Sequence, residues 1–107
     1  MDAVDVPIAC SLTADDAVAR VAEWREFLAQ SVVSARRDDG GLHLLLGPSD
    51  DVLVAAADLA AREKACCPFF SMSIQIEPAA RTLTLDAPPD AAGVLDEFMG
   101  LLPPDRT

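Results

Sequence analysis

The sequence predicts an α+β fold: a mostly antiparallel five-stranded sheet with three helices, in the order βα-ββ-α-ββ-α. Three observations lead there. Apolar and polar residues alternate over 6–12 and over 70–77, the period of a half-buried strand. Over 14–30 and 51–66 the apolar residues fall at helical spacing instead. The remaining strands come in pairs joined by short turns, so hairpins dominate, and helices should cover one face of the sheet. A ferredoxin-like arrangement is one option for the middle of the chain. The 107 residues suit one domain, 1–107, with an ordered core over about 6–102.

Each element has a local cause. Val6, Ile8, Cys10 and Leu12 share one face of the first strand, which makes Cys10 an inward position. Thr13 is placed to cap the first helix, and Asp15 and Asp16 lie in its first turn, where the helix dipole favours anions. Val18, Val21, Trp24, Phe27 and Leu28 supply its apolar side, with Arg20, Glu23 and Glu26 on the opposite side. Residues 31–35 and 42–46 form a hairpin about the turn Arg36–Gly41. Ser49 or Asp50 caps the second helix, over about 51–66, and Pro68 ends it by excluding the α region at the residue before it. Phe70, Met72, Ile74 and Ile76 then face inward from the most regular strand of the chain. Pro78–Arg81 turns back into the strand 82–87, and a last helix covers about 91–101. The tail 103–107 should fray.

Composition excludes several classes of function. Eight basic against eighteen acidic residues give a net charge of −10, which argues against direct nucleic-acid binding and against an anionic membrane surface. No apolar run reaches the roughly 18 residues of a membrane span, and no secretory leader is recognisable. Three cysteines are too few for a disulfide framework, so a reducing cytoplasm is expected. A single histidine, His43, precludes a multi-histidine metal site. His43 falls out of phase with Leu42, Leu44 and Leu46 and reads as solvent-facing. The pairs Asp15-Asp16, Asp38-Asp39 and Asp50-Asp51 read as caps and turns. Trp24 and Phe27 read as core, with a homodimer face as the alternative.

The segment Glu63-Lys64-Ala65-Cys66-Cys67-Pro68-Phe69-Phe70 carries most of the functional information. Glu63 precedes the cysteines by three and four residues, spacings that share a helix face. Adjacent residues on a helix diverge by about 100°, but Pro68 takes Cys67 out of helical geometry and re-aims it. If the first strand packs under the end of the second helix, Cys10, Cys66, Cys67 and Glu63 converge. Three thiols and a carboxylate suit a soft ion: Zn(II), Cu(I), Hg(II) or As(III). The alternative is that the cysteines pack as small hydrophobes; a strained vicinal disulfide is a third option. A helix C-terminus, Glu63 and the net charge all disfavour a free thiolate, opposed locally by Lys64 and Arg62. A bound cation would stabilise thiolates outright, and no C-x-x-C is present, so the pattern favours metal binding over redox chemistry.

Ile8-Ala9-Cys10-Ser11-Leu12, the helix containing Trp24-Arg25, and Glu63-x-x-Cys66-Cys67-Pro68-Phe69-Phe70 before an alternating strand together resemble a group of small, largely uncharacterised bacterial proteins. Similar segments occur attached to regulators of the mercury-resistance type. The resemblance spans about residues 7–100, and its specific part is E-x-x-C-C-P-F. It implies a role in sensing or binding thiophilic metals and points to Cys10, Glu63, Cys66 and Cys67. No helix-turn-helix is recognisable, so a regulatory role would need a partner regulator.

The leading expectation is a cytoplasmic module binding a soft metal. One rival is an enzyme resembling an organomercurial lyase, in which two thiolates hold mercury and Glu63 is the acid that protonates the leaving carbon. The other is a non-catalytic interaction or effector-binding domain with structural cysteines. A small-molecule ligand beneath Phe69 and Phe70 is equally open.

Overall fold

The structure, a computed structural model, describes residues 14–66 and 71–106. Helix α1 (Ala14–Ser31) leads into a hairpin of β1 (Val32–Arg37) and β2 (Gly41–Leu46). Helix α2 (Asp50–Cys66) precedes a second hairpin, β3 (Ser71–Ile76) and β4 (Arg81–Asp86), and α3 (Gly93–Gly100) follows. The α+β class, the three helices and the antiparallel pairing are as the periodicities predict. Four strands form the sheet among the described residues, in the order β1-β2-β4-β3. The strand expected over 6–12, with Cys10, lies outside the described residues.

The strand order departs from a ferredoxin-like arrangement. The two hairpins lie side by side, joined by antiparallel β2–β4 pairing in which Leu42 faces Leu85 and Leu44 faces Leu83. β2 and β3 therefore run parallel to each other with β4 between them, and α2 is the crossover that links them. β2 and β4 are the inner strands, and Leu42, Leu44, Leu83 and Leu85 are fully buried.

Helices cover the face that carries these leucines. Trp24 of α1 is the hub: its ring meets Phe98 of α3 edge-on at 4.8 Å and Phe27 at 5.9 Å. Leu28, Val32, Leu59 and Leu95 complete the same core. The core reading of Trp24 and Phe27 thus holds, whereas Val18, read onto the same apolar side, is 72% exposed. At the sheet end, Arg37 donates to Asp96 and to the Ala92 carbonyl, both at 3.3 Å, and fastens β1 to the start of α3.

Four local expectations are corrected. Ser31 ends α1 and does not open the hairpin. β3 is an edge of the described sheet, so its apolar side is only partly covered: Met72 and Ile74 are half-buried and Ile76 is 66% exposed. The last helix is shorter than 91–101, because Pro88-Pro89 favours a 3-10 turn at Pro89–Ala91 before α3. Residues Pro104–Arg106 form a further 3-10 turn that packs near β1 where fraying was expected.

Candidate functional site

Helix α2 is built mainly from Ala, Leu and Val, and it presents Ala56, Leu59 and Glu63 on its buried side. The first two meet the core. Glu63 continues their stripe one turn on and is itself fully buried. A carboxylate in that position needs donors, since burial without them costs several kcal/mol. Helix α1 supplies them. Trp24 Nε1 donates to Glu63 Oε1 at 2.9 Å, and the Arg20 guanidinium donates to the same oxygen at 3.2 Å.

Arg20 and Trp24 are four residues apart, so they lie on one face of α1. Helical spacing places Arg20 on the side opposite the apolar residues. The structure corrects this: the Arg20 side chain is 12% exposed and reaches across to α2, with Glu23 beside it at 3.5 Å. The apolar stem of the arginine lies against the helix pair while its head finds the buried charge. The i, i+4 relation between Arg20 and the core residue Trp24 was visible in the sequence. The need for a cation there was not, because Glu63 is 43 residues away.

Two opposing effects act on the Glu63 carboxyl. Burial pushes its pKa above the ordinary carboxylate value, while the Trp24 N–H and the Arg20 charge pull it back. The other local cation, Arg62, is committed elsewhere: it pairs with Glu23 and Asp58, each at 2.9 Å. Its bond to Glu23 clasps α2 to α1, so of the two cations expected to support a thiolate here, Arg62 is spent on the helix interface. Arg20 stands instead at this end of the helix pair, beside Glu63.

Cys66 is the last residue of α2, one turn beyond Glu63. Cys10, Cys67 and the wall residues Phe69 and Phe70 lie outside the described residues, and the description of Cys66 stops at its backbone. Among the described residues, no group of three or more His, Cys, Asp or Glu side chains stands ready to hold a metal ion. No helix among them is long and apolar enough to cross a membrane.

His43 follows its phase onto the sheet face away from the leucines, yet it is not simply solvent-facing. Its side chain is half-buried, with Nε2 2.8 Å from Asp38 Oδ2 and Nδ1 3.3 Å from Thr84 Oγ1. Asp38 is held below the usual carboxylate range, chiefly by its hydrogen bond with His43. Asp15, Asp16, Asp50 and Asp51 occupy first turns of helices, as read from the sequence. Comparison of the chain with protein-family models, with curated proteins and with solved structures finds no match.

Proposed function

We propose that this chain is a cytoplasmic binding module for a soft, thiophilic metal or metalloid ion. Cys66 and Cys67 are its main ligands and Cys10 the third. Glu63 serves as a ligand or as the carboxylate behind them, and its bonds to Trp24 and Arg20 favour the second role. One observation carries the reading. A buried carboxylate bonded to an indole and a guanidinium lies one turn before Cys66, an arrangement that apolar side chains replacing the whole set would match at lower cost. That network fixes the end of α2, as far as the Cys66 backbone, against α1.

The fifth strand read over 6–12, with Cys10 on its inward face, belongs to the same proposal. The helices run antiparallel, with Arg20 meeting Glu63 and Phe27 lying near Leu59, so α1 begins at the end of the molecule where α2 stops. Cys10 is four residues before Ala14, within about 14 Å of it at full extension.

The test is native mass spectrometry of the reduced protein titrated separately with Zn(II), Hg(II) and Cu(I), beside the Cys66→Ser/Cys67→Ser variant. A tight 1:1 adduct lost in the variant is the expected result. An unchanged adduct, or none with any of the three ions, overturns the proposal.

The lyase-like alternative draws on one observation, the upward push of burial on the Glu63 carboxyl, which suits a proton donor. It requires turnover of a model organomercurial that Glu63→Gln abolishes. The structural-cysteine alternative requires that Cys66 and Cys67 resist alkylation in the native protein.

A further inference from the structure

We draw no further inference here: the strongest candidate, the surface patch along the edge strand β3, where Met72 and Ile74 are half-buried and Ile76 is exposed, carries nothing because nothing among the described residues shows what covers it.

Discussion

Replacing Trp24 by Phe tests whether the buried Glu63 network is an energetic unit. The substitution keeps an aromatic ring against Phe98 and removes the indole N–H that lies 2.9 Å from Glu63 Oε1. Two costs add. A buried acceptor that loses its donor costs about 1–3 kcal/mol. The smaller ring leaves a cavity of about 40 Å³, worth about 1 kcal/mol at about 24 cal/mol per Å³. Trp24→Phe should therefore destabilise by about 2–4 kcal/mol, a large share of the roughly 5–15 kcal/mol available to a domain. Glu63→Met removes the acceptor at similar volume and should cost about as much, because it orphans the Trp24 N–H and strands the Arg20 charge. In the double variant the indole donor and its acceptor are both gone, so the combined loss should fall short of the sum by about 1–2 kcal/mol. Urea unfolding followed by far-ultraviolet circular dichroism reads this, since Trp24 is the only tryptophan and fluorescence is lost with it. At slopes of about 1–3 kcal/mol/M, a 2 kcal/mol loss moves the midpoint by about 1 M. Additivity within about 0.3–0.5 kcal/mol would refute the reasoning.

Arg20→Ala should cost about 2–3 kcal/mol by the same assay, less than a fully buried pair because the arginine side chain is 12% exposed. Leu44→Ala, at a fully buried position on an inner strand, should cost about 2–5 kcal/mol, whereas Val18→Ala on the exposed side of α1 should stay within about 0.5 kcal/mol. The folded-state pKa of Glu63 is raised, so its contribution to stability is full below the ordinary value of 4.5 and declines as pH rises through the folded value. Glu63→Gln removes that decline, and its urea midpoint should gain on the parent's between pH 4 and pH 7. Asp38 has a lowered pKa, so its contribution is present above the ordinary value of 3.8 and is lost as pH falls through the folded value. The midpoint of Asp38→Asn should accordingly converge on the parent's in acid.

Much of the fold was legible in the residues because its causes are local. The 3.6-residue spacing of Val21, Trp24 and Leu28 places α1, and the alternation of Leu42, Leu44 and Leu46 assigns a buried face to β2. Acidic first turns and the prolines at 88–89 mark where helices begin, because capping and proline sterics act over one or two residues. Of the site, the E-x-x-C-C-P-F segment was visible as a motif, and the helical spacing of Glu63 and Cys66 followed from it.

Pairing between distant segments was decided only by the tertiary structure. Alternation makes β3 as regular a strand as β2, but it does not say that β4 takes the inner place and leaves Ile76 at an edge of the described sheet. Nothing near Arg20 in sequence marks it as the partner of a carboxylate 43 residues on; that follows from α1 and α2 lying antiparallel with residues 20 and 63 in register. The meeting of His43 with Thr84 depends likewise on the β2–β4 register, where a slip of one residue would send every side chain to the opposite face. Periodicity along a chain determines which face of each element is buried. Which elements meet, and at what register, is set by packing the whole core at once.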